Sequence, residues 1–545
     1  MESERQVAFP ADRAVGVLYI RPAGSDLEVD WDIWAIAQGE VRVPAGYDLR
    51  LSVAPWHEFH SRWHPDLRPR YPHLSPDLLE MLVPFDARAA LRALRTLDRD
   101  DLQSLSLRRV PAFEDDDLAH IGHLTGLQEI EIGKSSRFTG KGLLHVSNLR
   151  NLRSIELLCP KFADESVRYL AQLPGLKNVN LNLTSVSGTG LLPLQEHRLE
   201  RLSLQGTKVD DSDLHRLPAF RDLEYLDVGD NLITEASLAS LRDLRELKEL
   251  VLQRTRVTDL GDDCISALAG LTSLSVARTP FSDDCVRKLS GMPELSSLYL
   301  DGTTVTDAAV QDLASASKIG ILSMAGTPIT DNACRALSQM STLRNINIHD
   351  TRSTSRGVGC LLSSQTIKEI DFSYTDTGDE ALHELAVDSH LTNLDASNTR
   401  LSTKGVCYLK RAPMLEDLDI SATMVDDDAL EYLRSLRHLW RLDISRTAVG
   451  DKGAETIGTM RQLTDLALSD TALSDAGLHH ISKLDRLHGL VLCGTRVTDA
   501  GLAKLSDAQT LRHLILVGIP ESAVSVPCTL ELQKKLPLCF IVQGL

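Results

Sequence analysis

The chain has 545 residues, a formal net charge of −18, 43% hydrophobic and only 4% aromatic residues. That length allows several domains or one long repeat array, with leucine doing most of the packing. The acidity argues against nucleic acid and against an anionic membrane surface, both of which call for a basic face.

No apolar run approaches the roughly 18 residues a membrane helix needs. The start, MESERQVAFPADRAVG, lacks the apolar segment of a secretory signal. Nine cysteines are scattered without a C-x-x-C pair and read as reduced thiols. Together these lead to the expectation of a cytoplasmic protein.

In chain order, residues 1–75 are expected to form a small β-rich module. VGVLYIR, Val15 to Arg21, reads as a strand, and EVRVPAGYDLRLSV, Glu40 to Val53, as a pair of strands joined at Pro44-Ala45-Gly46. Trp31, Trp34, Trp56 and Trp63 fall here and are expected to build a compact core, with a docking surface as the alternative. WHEFHSRWHP places His57, His60 and His64 where a helix would bring them to one face. The metalloprotease pattern H-E-x-x-H fails at Ser61, so packed or surface histidines are expected and no metal is assigned. LSPDLLEMLVPFDARAALRALRTL then predicts a helical cap over residues 76–100.

From residue 101 to 519 one phrase returns: L-x-x-L-x-L-x-x-T-x-V-[ST]-D-x-x-L-x-x-L, as in LTDLALSDTALSDAGLHHI. Its threonine stands at Thr207, then at Thr255 and every 24 residues to Thr495, with Asn231 filling the gap. Weaker copies sit at Val110, Ser135, Pro160, Thr184 and Ile519. The alternation around Leu418 and Ile420 predicts a short strand, and Leu430 and Leu433 then recur at helical spacing. An aspartate recurs at the helix start: Asp211, Asp259, Asp283, Asp307, Asp331, Asp379, Asp451, Asp475 and Asp499. A short acid there is expected to cap its helix. Asp426-Asp427-Asp428 lacks the calcium-loop spacing and belongs to the same phrase.

GTRVTDAGL, Gly494 to Leu502, is the undiluted phrase. On these residues the chain resembles leucine-rich repeat proteins, and in particular bacterial arrays with the phrase G-T-x-V-T-D-x-G-L. The resemblance implies an α/β fold: a right-handed solenoid with parallel strands on its concave face and helices on its convex face. Residues 520–545, ending LQKKLPLCFIV, are expected to close it as a C-terminal cap.

No P-loop, nucleophile elbow, dinucleotide glycine fingerprint or metal-spaced Cys/His set is present. No catalytic residue, cofactor or metal is therefore assigned, and function is expected in binding a protein partner on the concave face. The residue between the two buried apolar positions of each strand should point outward. Reading across repeats gives Asp371, Asp395, Asp419 and Asp443, followed two positions on by Ser373, Ser397, Ser421 and Ser445. Rungs of a parallel sheet lie about 4.8 Å apart, and like charges at that range repel by about 1 kcal/mol in water. A basic surface on the partner would relieve this, with Arg441 and Arg446 as near neutralisers of Asp443. Two alternatives stand beside this scaffold reading. One is the substrate-recognition subunit of a ubiquitin ligase, since F-box proteins carry similar repeats and LSPDLLEMLVPF resembles an F-box opening. The other is an enzyme with its activity in the N-terminal module.

Overall fold

The computed structural model describes residues 5–8, 17–22, 32–36, 40–43, 47–52, 87–108, 110, 112–258, 268–316, 318–520, 522–537 and 539–543. The chain divides into two compact units, Met1–Leu271 and Thr272–Leu545. Trp31, Trp56, Trp63, His57, His60, His64 and Asp259 lie outside the described residues.

In the first unit, Val17–Pro22 pairs antiparallel with both Asp32–Ile36 and Tyr47–Ser52. Tyr47–Ser52 then pairs in parallel with Ser104–Leu107. From there the ladder runs through Glu129–Ile132, Ser154–Leu157, Asn178–Asn180, Arg201–Ser203, Tyr225–Asp227 and Glu249–Val251. The expected hairpin across residues 44–46 does not form. Glu40–Val43 pairs with Arg5–Ala8 instead, and Tyr47–Ser52 is held between two other strands. A helix at Ala87–Ala93 follows, and its Leu91 is fully buried.

The second unit repeats one plan. Strands begin every 24 residues from Ser273 to His513, each pairing in parallel with the next, and Phe540–Val542 ends the ladder. Each is three residues long with its middle residue buried, as Leu418 is in Asp417–Asp419. A helical segment returns the chain between strands. In Asp475–Ile481 the buried residues are Gly477, Leu478 and Ile481, the i, i+1, i+4 face of a short helix. This is an α/β repeat architecture, as expected.

The turn after each strand carries a residue in the left-handed region, such as Ala422 at φ 52° and Tyr374 at φ 56°. The threonine beside it stabilises that turn. Thr423 Oγ1 donates to the Ile420 carbonyl at 2.6 Å, and Thr375, Thr399 and Thr447 repeat the bond at 2.6 Å. These threonines are buried, so the bond also spares a hydroxyl from standing unpaired. Asn231 does the same work differently, its Nδ2 donating to the carbonyls of Leu204, Val228 and Gly229.

The recurrent aspartate does not cap its own helix. It occupies the first helical position, and where a side chain caps the helix it is usually the Ser or Thr before it: Thr330 Oγ1 accepts from the Asn332 amide, and Ser474 Oγ from the Ala476 amide, while Gly378 and Gly450 precede Asp379 and Asp451. The carboxylate instead reaches the cap residue of the following repeat. Asp451 takes the Ser474 amide at 2.8 Å and hydroxyl at 2.6 Å, and Asp475 takes those of Thr498 at the same two distances. A hydroxyl that donates to a carboxylate while accepting from an amide ties two repeats through one atom.

This bridging explains a glycine in the phrase. A Cβ on Gly501 would stand 2.2 Å from Asp475 Oδ1, so only glycine leaves room for the carboxylate. The triplet Asp426-Asp427-Asp428 is accounted for in the same terms. Asp427 accepts from the Gly450 and Gly453 amides, Asp426 from Thr403 Oγ1, and Asp428 pairs with Lys452 at 2.7 Å.

Candidate functional site

The fixed register brings the predicted carboxylates together. Asp371 stands opposite Asp395, Asp395 opposite Asp419, and Asp419 opposite Asp443 on successive parallel strands. The column is flanked by Asn347 on one side and Ala467 on the other. In all four, Oδ1 accepts the amide of the serine two residues on, at 2.9 Å. Each carboxylate is thereby fixed in orientation by its own backbone.

The serines are not exposed as expected. Ser373, Ser397, Ser421 and Ser445 are all buried. Period-two alternation holds only within a strand, and these strands end at the aspartate. The chain then bends into the turn and tucks the serine beneath it. Ser373 Oγ donates to Asp371 Oδ1 at 2.5 Å, and Ser445 Oγ accepts the Ser469 amide at 3.0 Å. Ser397 Oγ finds no partner among the described residues.

A second acidic column, which the sequence reading missed, runs beside the first. Glu369, Asn393, Asp417, Arg441 and Asp465 are paired in register two residues earlier on the same strands. The same alternation that located Asp419 locates Asp417 in EDLDI and Asp465 in TDLAL. Arg441 belongs to this column. Its Nη1 donates to Asp417 Oδ1 and Oδ2 at 2.8 and 2.7 Å, and Asp443 and Asp419 also attract its charge. Arg446 forms no ion pair among the described residues.

The electrostatics follow from burial and crowding. Burial, then repulsion by Asp443 and Asp395, pushes the Asp419 carboxyl well above the usual carboxylate range. Burial raises Asp417 too, against the pull of Arg441. Asp465 is raised to about 7, again chiefly by burial. On the strand face of the first unit two of the acids are matched by arginines, while burial raises Asp227 to about 6. Arg50 meets Glu131 at 2.6 Å, and Arg108 meets Glu156 at 2.6 and 2.8 Å.

Elsewhere in the second unit, helices Ser355–Leu362 and Asp379–His383 border a cleft of about 630 Å³. Arg400 and Asp376 in its lining are themselves paired at 2.8 Å. Among the described residues, no three His, Cys, Asp or Glu are grouped to hold a metal ion. No described helix is long and apolar enough to cross a membrane.

Comparison with known proteins agrees with this repeat plan. A family model described as a leucine-rich repeat region matches residues 201–454. No curated protein matches the chain. Among solved structures, an internalin from Listeria monocytogenes is 16% identical with a TM-score of 0.35, over 76% of this chain and 92% of its own. A leucine-rich repeat protein from Leptospira interrogans is also 16% identical with a TM-score of 0.35, over 83% and 97%. TLR13, solved in complex with ssRNA13, is 17% identical with a TM-score of 0.49, over 78% and 71%. In its stacked units and in this match over residues 201–454, the chain is similar to leucine-rich repeat proteins.

Proposed function

We propose that the protein is a non-catalytic recognition module, and that a protein partner with a basic surface docks on the strand face of the unit Thr272–Leu545. The observation that carries this reading is the column Asp371, Asp395, Asp419 and Asp443, aligned strand by strand. Asp419 holds its proton more tightly chiefly because it is buried and then because Asp443 and Asp395 repel its charge, and a bound cation would release that repulsion. Extended strand faces are also where repeat arrays usually bind. The setting we propose is a reducing compartment, where the buried thiols Cys159, Cys334, Cys493 and Cys539 serve as packing groups.

The test is affinity capture with the parent and with a variant carrying Asp→Asn at all four positions, followed by association rates for each retained partner across a salt series. A partner of this face is lost or slowed in the variant, and its association with the parent weakens as salt rises. Partners held identically by both proteins, with one salt dependence, would refute the reading.

A further inference from the structure

We infer that Arg441 is a proton-gated latch: while Asp465 keeps its proton the guanidinium grips Asp417 alone, and when that proton leaves it turns to bridge Asp417 and Asp465. The inference goes beyond the docking reading and needs no partner. Its first support is register. Arg441 lies opposite Asp417 on one side and opposite Asp465 on the other, each one strand spacing, about 4.8 Å, away along the sheet. The grip is one-sided all the same. Nη1 meets both oxygens of Asp417 at 2.8 and 2.7 Å, while Nε and Nη2 have no partner among the described residues.

The second support is an idle acceptor on the next rung. Asp465 is buried, Thr464 Oγ1 serves only its Oδ2, and Oδ1 has no partner among the described residues. A neutral buried carboxyl tolerates an idle oxygen; a buried carboxylate does so only at much greater cost. Burial raises Asp465 to about 7, and the charge of Arg441 already opposes that rise. Asp417 is the other charge felt at Asp465. On its far side stand Gly489 and, one strand further, His513. Around Arg441, Asp443 and Asp419 add their attraction. Ionised Asp465 therefore has one cation in register beside it, and that cation has donors to spare. A planar guanidinium fork can serve two carboxylates at once. The trio then gains a negative charge, and one side chain ties three strands where it tied two.

The experiment is a pair of double-mutant cycles on the full chain, Arg441→Gln with Asp417→Asn and Arg441→Gln with Asp465→Asn. Each is read as the first urea midpoint at about pH 5 and at about pH 8. At the acid end, coupling is expected between Arg441 and Asp417 alone. At the alkaline end, coupling to Asp465 appears and coupling to Asp417 falls to roughly half, because one fork is shared between two carboxylates. Coupling confined to Asp417 at both ends overturns the latch. Where Arg441→Gln does not fold, nitrogen NMR of the parent labelled in arginine decides, the Arg441 signals being those lost in Arg441→Lys. They should move through a midpoint of about 7 in the parent and stay still in Asp465→Asn. Signals indifferent to pH in the parent, or the same movement in Asp465→Asn, overturn the inference.

Discussion

Replacing Asp465 by Asn should stabilise the protein, and by more as the pH rises. The Asp465 side chain is 5% exposed; Thr464 Oγ1 donates to its Oδ2 at 2.6 Å, while Oδ1 has no partner among the described residues. Burial lifts this acid from 3.8 to about 7. The folded state therefore binds the proton more tightly than the unfolded state does. The stability this contributes is fully present below the unfolded value and is lost as the pH rises through about 7. At roughly 1.4 kcal/mol per tenfold in acidity, the gap sets a ceiling of about 4 kcal/mol on the loss. Asn keeps the shape, does not titrate, and leaves the Arg441–Asp417 pair untouched. The measurement is the urea midpoint of parent and variant, followed by circular dichroism from about pH 5 to about pH 8. Repeat arrays can unfold in steps, so the first transition is the one compared. The advantage of the variant should already show at about pH 5, widen up to about pH 7 and level off above it. A constant gap, or one that closes as the pH rises, would show that Asp465 is ionised throughout and would refute the reasoning.

Thr423→Val should lower the urea midpoint by the equivalent of about 1–3 kcal/mol, since it leaves the Ile420 carbonyl unpaired inside the turn. Ser421→Ala should cost less, about 0.5–1.5 kcal/mol, because its amide bond to Asp419 survives the change; equal losses would contradict the turn assignment. Gly477→Ala would place a Cβ 2.5 Å from Asp451 Oδ1 and should cost about 1–3 kcal/mol. Gly320→Ala, whose Cβ meets nothing nearer than 3.5 Å, should stay within about 0.5 kcal/mol of the parent. The fourfold Asp→Asn change at 371, 395, 419 and 443 should leave the fold intact or slightly more stable at neutral pH while slowing association with a basic partner. A melt and a stopped-flow trace on the same preparation check whether the two move in opposite directions.

Much of the repeat was legible because its chemistry is local and periodic. A threonine returning in phase next to a buried strand implied a hydroxyl turned into the bend, and Thr423 behaves so. The register of the Asp column followed from the constant period alone. What failed was reasoning that stopped at the nearest neighbour. Asp451 looked like the cap of its own helix because an acid at a helix start usually is, but its bonds span 23 residues to Ser474. Ser421 looked exposed because alternation was carried past the end of a three-residue strand. Asp417 and Asp465 were overlooked because only one outward position per strand was counted. The strand Glu40–Val43 found its partner at Arg5–Ala8, a choice that no turn residue encodes.

The bridge from Asp451 to Ser474, and from Asp475 to Thr498, gives the array a direction. Every helix entry in this stretch is completed by a carboxylate belonging to the repeat synthesised before it. A nascent repeat leaving the ribosome thus meets a finished docking point, and the order of synthesis is also the order of assembly. The two ends of such an array are then unequal. At these bridges, removing repeats from the carboxyl end leaves aspartates, which water solvates readily. Removing them from the amino end strands helix-start amides and hydroxyls whose acceptors have gone. At the bridges themselves, a cut on the carboxyl side is the gentler one.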